Sequence, residues 1–130
     1  FRGFVPDEEL PGVYQRADIF CQPGTAELQS LVSLEAMSAS TPVVLANALA
    51  LPHLVEEGVN GYLFEPNNPQ DLADKLTAIL RLPAAEREQM GRESRRIVEF
   101  HSAENTWRIF EELYVSDAPY ERFLAQRSEK

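Results

Sequence analysis

The chain has 130 residues, 44% of them hydrophobic and 9% aromatic, which is enough apolar material for one domain with a core. A formal net charge of −9 argues against nucleic acid as a partner, because phosphate-backbone affinity depends on clustered Lys and Arg. The single cysteine, Cys21, excludes an internal disulfide and a cysteine-rich zinc site, and no apolar run reaches the about 18 residues of a membrane span. We therefore expect a soluble chain in a reducing cytoplasm.

The first half of the chain predicts strands and helices in alternation. Two short apolar segments and one continuous apolar run read as strands, and a continuous run is typical of a buried parallel strand. Two helical segments lie between them, and Asp7 is the expected N-cap of the first. In chain order the five segments are FRGFV, PDEELPGVYQRA, DIFCQP, SLVSLEAMSAS and TPVVLAN.

The second half begins with a short helix, LPHLVEEG, that we expect to end at Gly58. A fourth strand, YLFEP, follows, and Asn68 with Pro69 then opens another helix. The helical spacing predicts an apolar stripe on that helix. Its members are Leu72, Leu76, Ile79 and Leu80.

Only helical signals follow Pro83, so the C-terminal end is predicted to be all α, with Trp107, Phe110 and Tyr114 on one helix face. Strands that alternate with helices predict an α/β fold, a Rossmann-like parallel sheet with flanking helices and right-handed crossovers. Such sheets bind ligands beyond the carboxyl ends of their strands. This places a ligand near the loop that holds Glu27.

Glu35 is the only ionisable residue between Leu31 and Ala39, where nearly every other residue is apolar or small. We expect the sheet and neighbouring helices to cover both sides of this helix and to bury the Glu35 carboxylate. A buried carboxylate without a partner is costly or takes up a proton, so it needs a reason to be there. The reason is either structural, a bond to nearby backbone or a wet edge, or a bound ligand.

Glu27 lies eight residues before Glu35, just ahead of the helix and inside the predicted ligand crevice. The first amides of a helix can bind an anion, and carboxylates on either side can accept hydrogen bonds from hydroxyl groups. Hydroxyl groups beside a phosphate describe a sugar nucleotide. Such a glutamate pair also arises by chance. The amides concerned belong to Gln29, Ser30, Leu31 and Val32.

The run GTAELQSLVSLEAMSASTPVV resembles the signature of family 4 of the retaining glycosyltransferases, also called glycosyl transferase group 1, which have the GT-B fold. Glu27 and Glu35 match its Glu-x7-Glu spacing, and Ala-Met and Pro-Val-Val follow. The resemblance extends backward through GFVPDEELPGVYQRADIF and forward through ALPHLVEEGVNGYLFEPNNPQDLADKL. It implies that residues 1–115 are the donor-binding domain, an incomplete C-terminal half of a GT-B fold without its first strands. Residues 116–130 are expected to be a C-terminal helical tail.

The resemblance implies a site for a nucleotide-sugar donor, a UDP- or GDP-sugar. In it Glu35 binds the ribose hydroxyls, and Glu27 is the catalytic residue that positions the transferred sugar rather than a nucleophile. Gly3 and Phe4 match a place where backbone groups touch the base, although they also read as a plain strand end. The remaining donor-binding residues are Gln29 and the diphosphate-facing amides of Ser30, Leu31 and Val32.

The chain departs from the resembled family in several ways. A side chain stands at Ser30, where many relatives have glycine, and we expect it to narrow the approach to phosphate. The family's Gly-containing loop, its Arg and Lys for the diphosphate, and its N-terminal acceptor domain have no counterpart before FRGFV. The resemblance therefore implies part of a larger hexosyltransferase-like enzyme that transfers no sugar alone, with a lipid at the membrane surface as one acceptor for the absent domain.

No Asp-x-Asp pair able to hold Mg²⁺ or Mn²⁺ occurs in the chain, so we expect neither a metal nor another cofactor. The alternative to an enzyme is a non-catalytic module that binds a nucleotide sugar or a partner domain. A response-regulator-like domain has the same strand alternation, but it needs an acidic pocket at the strand ends, and Asp18 begins its strand.

Overall fold

The computed structural model describes residues 2–115, in which short strands alternate with helices. The chain divides into two compact units, one that runs to Val98 and a second that begins at Glu99. The predicted tail at 116–130 lies outside the described residues. The elements are α1 (Leu10–Gln15), β1 (Phe20–Gln22), α2 (Leu31–Ser38), β2 (Val43–Ala46), a 3-10 turn (Leu51–Leu54), β3 (Gly61–Phe64), α3 (Pro69–Leu80), α4 (Ala84–Glu99) and α5 (Ala103–Val115).

The three strands form one parallel sheet in the order β1-β2-β3. Phe20 of β1 pairs with Val43 of β2, which in turn pairs with Gly61 of β3. All four residues of β2 are buried, as expected for a central parallel strand that is covered on both faces. The predicted α/β fold, a parallel sheet with flanking helices, is confirmed.

The core of the first unit lies between the sheet and helices α2, α3 and α4. Met37 of α2, Ile79 of α3 and Met90 of α4 pack with the β2 side chains and with Leu51 of the 3-10 turn. Removing one such apolar side chain from water contributes about 1.5–3 kcal/mol. This core holds the carboxyl ends of β1 and β2, and therefore the loops that follow them, in fixed positions.

The predicted first strand is wrong, because residues 2–5 form no strand and the described part of the chain contributes three strands to the sheet rather than four. Gly3 has a φ of +68°, outside the extended region, and Phe4 is 89% exposed. A short apolar segment becomes a strand only where a neighbouring strand accepts and donates its backbone hydrogen bonds. Within residues 2–115 no strand pairs with this segment.

The predicted cap of α1 is also wrong. The N-cap is Glu9 rather than Asp7, and no side chain caps the helix. The carbonyl of Pro6 accepts hydrogen bonds from the amides of Glu9 and Leu10 at 3.0 and 3.2 Å. The chain therefore makes one turn between Pro6 and Leu10 before the helix begins.

The predicted helix LPHLVEEG is reduced to a 3-10 turn that ends at Leu54, before Gly58. The buried side chain of Asn60 accepts a hydrogen bond from the Glu56 amide at 2.8 Å and donates one to the Leu54 carbonyl at 2.9 Å. These bonds use the backbone groups that would otherwise continue the helix. Gly58, with a φ of +76°, forms the turn into β3.

The start of α3 is confirmed, since the Asn68 side chain accepts a hydrogen bond from the Asp71 amide at 3.1 Å. Its apolar stripe is confirmed except at one residue. Ile79 is fully buried and the two leucines before it are partly buried, whereas Leu80 is 55% exposed. A rotation of about 100° per residue carries Leu80 past the buried face.

The second unit is helical as far as the structure describes it, which agrees with the predicted all-α end. Ser102 caps α5, because its hydroxyl accepts a hydrogen bond from the Asn105 amide at 3.2 Å. The aromatic residues lie on this helix, with Trp107 72% exposed, Phe110 49% exposed and Tyr114 87% exposed. No helix within residues 2–115 is long and apolar enough to cross a membrane.

Candidate functional site

The Glu27 loop follows the carboxyl end of β1, where a parallel sheet places its ligand sites. The Gln22 side chain closes this loop, because its Nε2 donates to Glu27 Oε1 at 3.2 Å and its Oε1 accepts from the Gly24 amide at 3.1 Å. The Ala50 amide, in the loop after β2, donates to the Glu27 carbonyl at 3.3 Å. Glu27 is thus half-buried, and hydrogen bonds connect it with the carboxyl end of β1 and with the loop after β2.

Helix α2 begins from a left-handed turn at Ser30, whose φ and ψ are 56° and 65°. The Ser30 hydroxyl lies 2.7 Å from the Ser33 hydroxyl, and both side chains are buried. The Ser33 amide already donates to the Ser30 carbonyl at 3.0 Å. The amides of Leu31 and Val32 belong to the first turn, where a helix has no acceptor for them, so they are suited to an anion.

The expected burial of Glu35 is wrong, because its side chain is exposed. The same face of α2 exposes Leu31 by 61% and Val32 by 40%, whereas Ala36 and Met37 on the opposite face are fully buried. Only one side of α2 therefore packs against the core. Water can therefore reach the Glu35 carboxylate, and burial creates no need for a ligand there.

The Glu35 carboxylate nevertheless has a protein partner, since the hydroxyl of Tyr14 on α1 donates to its Oε2 at 3.2 Å. Burial raises the pKa of Tyr14, and the hydrogen bond and the negative charge of Glu35 raise it further. The phenol therefore stays protonated and remains a hydrogen-bond donor at neutral pH. This leaves the rest of the carboxylate able to accept hydrogen bonds from a ligand.

Glu35 lines an open groove of about 570 Å³ between α1, α2 and α4. Arg95 of α4 lies at its edge and donates from Nη1 to the Ser38 carbonyl at 2.6 Å. Glu27 is absent from the lining, so the structure does not bring the two glutamates together in this one groove. The groove is lined by Asp7, Leu10, Pro11, Tyr14, Gln15, Glu35, Ser38, Ala39 and Arg95.

The sequence did not indicate Tyr14 or Arg95 as site residues. Tyr14 is 21 residues from Glu35 and Arg95 lies on another helix, so no local spacing connects either of them with the glutamate. A tyrosine inside a helical segment reads as a packing residue until the tertiary contact is known. Only the packing of α1 against α2 reveals the pair.

The other predicted residues lie apart from this groove. Gln29 is exposed in the loop before Ser30. Gly3 and Phe4 are exposed near the start of the chain, and neither forms a hydrogen bond with the Glu27 loop within residues 2–115. In the same range no three His, Cys, Asp or Glu side chains are grouped to hold a metal ion.

A parallel α/β sheet with an open helix start beyond its carboxyl edge is an architecture whose ligand sites lie at that edge. Residues 1–97 match the family described as glycosyl transferases group 1, and the chain belongs to this family. It is 39% identical over 83 residues to sulfoquinovosyl transferase SQD2 of Arabidopsis thaliana, covering 62% of this chain and 16% of that protein. It is 37% identical over 111 residues to D-inositol 3-phosphate glycosyltransferase of Corynebacterium urealyticum, covering 85% of this chain and 26% of that protein.

The fold of the chain also matches solved structures, and the matching regions of those proteins are GT-B glycosyltransferase domains. Sucrose-phosphate synthase from Thermosynechococcus elongatus matches with a TM-score of 0.75 and 27% identity, over 88% of this chain and 30% of that one. The C-terminal domain of LpcC from Francisella tularensis matches with a TM-score of 0.67 and 31% identity, over 76% of this chain and 51% of that one. Anabaena Alr3699/HepE in complex with UDP-glucose matches with a TM-score of 0.65 and 30% identity, over 74% of this chain and 26% of that one. The chain thus spans only part of its relatives' length.

Proposed function

We propose that this chain is the donor-binding, C-terminal part of a family 4 retaining glycosyltransferase. The observation that carries the proposal is the start of α2, where the first-turn amides lie in the chain between Glu27, which is hydrogen-bonded to Gln22, and the exposed Glu35, which is hydrogen-bonded to Tyr14. Anion-binding amides flanked by hydroxyl-binding carboxylates fit a nucleoside diphosphate joined to a sugar. The likeness to a solved C-terminal domain of this family supports the assignment to that half of the enzyme.

The donor we propose is a UDP- or GDP-sugar, since a structural relative is described in complex with UDP-glucose. Glu35 accepts hydrogen bonds from the ribose hydroxyls, and Glu27 accepts them from the transferred sugar. Gln29 and the amides of Ser30, Leu31 and Val32 adjoin the diphosphate, and the backbone near Gly3 and Phe4 adjoins the base.

The proposed reaction displaces a nucleoside diphosphate from the anomeric carbon with retention of configuration. The acceptor hydroxyl oxygen attacks on the face from which the diphosphate leaves, through a transition state that resembles an oxocarbenium ion, and its proton passes to an oxygen of the departing diphosphate. The α2 amides stabilise the negative charge that develops on the departing diphosphate. Glu27 holds the sugar in place and forms no covalent bond with it.

The complete enzyme requires groups that we place outside this chain. In our proposal residues 1–115 bind the donor, and further basic groups for the diphosphate and the acceptor domain come from other parts of a longer polypeptide. The matches over 16% and 26% of two glycosyltransferases are consistent with this division. The enzyme then acts in the cytoplasm on a carbohydrate or on a lipid at the membrane surface, and this chain alone transfers no sugar.

Calorimetric titration of UDP-sugars and GDP-sugars into the full-length polypeptide that contains this chain tests the proposal. Replacing Glu35 by Ala should weaken binding of the preferred donor by about 1.5–3 kcal/mol, the value of a hydrogen bond to a charged group. Glu86→Ala, which removes an exposed carboxylate on α4 outside the groove, is the matched control. Equal affinity in the Glu35→Ala and native proteins would remove Glu35 from the site.

Release of nucleoside diphosphate from the bound donor separates an enzyme from a non-catalytic module. The full-length polypeptide should release it in the presence of an acceptor, and Glu27→Ala should release it much more slowly because the sugar is no longer positioned. Donor binding without any release over a panel of sugar and lipid acceptors would favour the module.

A further inference from the structure

Tyr14 and Glu35 form a cross-helix pair on the wall of the groove. The Tyr14 hydroxyl donates to one carboxylate oxygen, Oε2, at 3.2 Å, and both side chains line the groove. Among residues 2–115 no other side chain is hydrogen-bonded to this carboxylate. Within the same residues the second oxygen, Oε1, therefore accepts no hydrogen bond from a side chain, and Glu35 lines the groove.

Tyr14 is itself held in place by contacts on two sides. Its ring packs edge-on against Phe20 of β1, with ring centroids 6.0 Å apart and planes at 73°. Its carbonyl accepts a hydrogen bond from the hydroxyl of the buried Thr41 at 2.9 Å and another from the Ala17 amide, also at 2.9 Å. The ring is thus packed against the sheet and the backbone is bonded to the segment before β2, which restricts the positions that the hydroxyl can take.

Glu35 has no such anchor of its own, because its side chain is exposed on the second turn of α2. A free glutamate side chain samples several rotamers, and holding it for a ligand costs conformational entropy at the moment of binding. A hydrogen bond from a rigid donor reduces that cost before the ligand arrives. The effect is pre-organisation rather than a direct ligand contact.

We propose that Tyr14 is a positioning residue, which holds the Glu35 carboxylate so that its other oxygen faces the ribose diol of a nucleoside diphosphate. This inference rests on the proposed function, in which Glu35 binds the ribose. A tyrosine with its ordinary pKa of 10.0 is already protonated at neutral pH, and the raised pKa of Tyr14 extends this to higher pH, so the hydrogen-bond donor is present throughout the neutral range. Removing only this hydroxyl should therefore weaken recognition of the ribose hydroxyls and nothing else.

The test compares Tyr14→Phe with the native full-length polypeptide by calorimetric titration of two ligands, UDP and 2′,3′-dideoxy-UDP. We expect Tyr14→Phe to bind UDP about three- to tenfold more weakly, the size of one net hydrogen bond. Binding of the dideoxy ligand, which has no ribose hydroxyls, should be unchanged. Tyr62→Phe is the matched control, because Tyr62 lies on β3 outside the groove and packs against Lys75.

An equal loss for both ligands would overturn the proposal, because it would mean that Tyr14 supports the fold of the site in general. A double-mutant cycle gives a second reading. In a Glu35→Ala background the Tyr14→Phe change should have no further effect on UDP affinity. If Glu35→Ala lowers the affinity for UDP and Tyr14→Phe does not, the positioning role of Tyr14 is wrong and the proposed function stands. If Glu35→Ala has no effect, both fail.

Discussion

Replacing Gly91 by Ala tests how closely α4 approaches the end of α2. Gly91 is buried, and a Cβ atom at this position would overlap the Ser40 carbonyl oxygen and lie 2.9 Å from the Ser40 carbonyl carbon. Real Cβ atoms make no such contacts, and the obstacle is backbone rather than a flexible side chain. Helix α4 would have to move away from residues 38–40. Arg95, one turn later on α4, would move with it and weaken its 2.6 Å hydrogen bond to the Ser38 carbonyl.

Two opposing effects set the size of the change. Alanine is favoured over glycine inside a helix by about 1 kcal/mol. Overpacking against a close neighbour costs about 1–3 kcal/mol, and an immovable carbonyl group places this case at or above the upper end. We therefore expect Gly91→Ala to lower the free energy of unfolding by about 2 kcal/mol, with the packing cost outweighing the propensity gain.

Urea unfolding followed by circular dichroism measures this difference. With a slope of about 2 kcal/mol per molar urea, a loss of about 2 kcal/mol lowers the midpoint by about 1 M. Gly12→Ala in α1 is the matched control, because the nearest atoms to its Cβ would be those of the Arg16 side chain, with Nη1 at 3.2 Å, and this flexible side chain can move aside. A Gly91→Ala protein as stable as the Gly12→Ala protein would refute the close approach.

Two further predictions concern a buried amide and the groove tyrosine. Asn60→Ala removes the bonds to the Glu56 amide and the Leu54 carbonyl, and urea unfolding should show a loss of about 2–3 kcal/mol; a loss below about 0.5 kcal/mol would contradict this. Burial, and then Glu35, raise the pKa of Tyr14 above its ordinary value of 10.0. The stability that the protonated Tyr14 contributes is therefore fully present below pH 10.0 and is lost as the pH rises through the raised pKa of the folded protein. Unfolding measured across alkaline pH should show a smaller fall for Tyr14→Phe than for the native protein, and parallel curves would contradict this.

The strand and helix alternation could be predicted because each segment carries its own period. VVLA is uniformly apolar and became the fully buried β2. The Asn68 cap is a local signal and is confirmed for the same reason. The segment FRGFV has the same apolar character, but a strand forms only where a second strand pairs with it. A sequence of five residues does not indicate whether such a partner is present.

The candidate site was harder to predict because exposure depends on what packs against a helix. Leu31 and Val32 are apolar, so the sequence indicated a helix covered on both sides, yet they share an exposed face with Glu35. Composition alone cannot distinguish an apolar surface that is buried in the core from one that remains open. The partner of Glu35 was hidden in the same way, because Tyr14 reaches it only through the packing of α1 on α2.

Ser30 shows how the protein maintains the turn that orients the first amides of α2. A left-handed conformation suits glycine and costs another residue about 1–2 kcal/mol. Here the Ser30 side chain is buried, and its hydroxyl bonds to that of Ser33 at 2.7 Å, which offsets part of this cost. The sequence predicts that a side chain at Ser30 narrows the space through which a phosphate approaches the helix. The structure argues against this, because the Ser30 side chain is buried and turned into the protein.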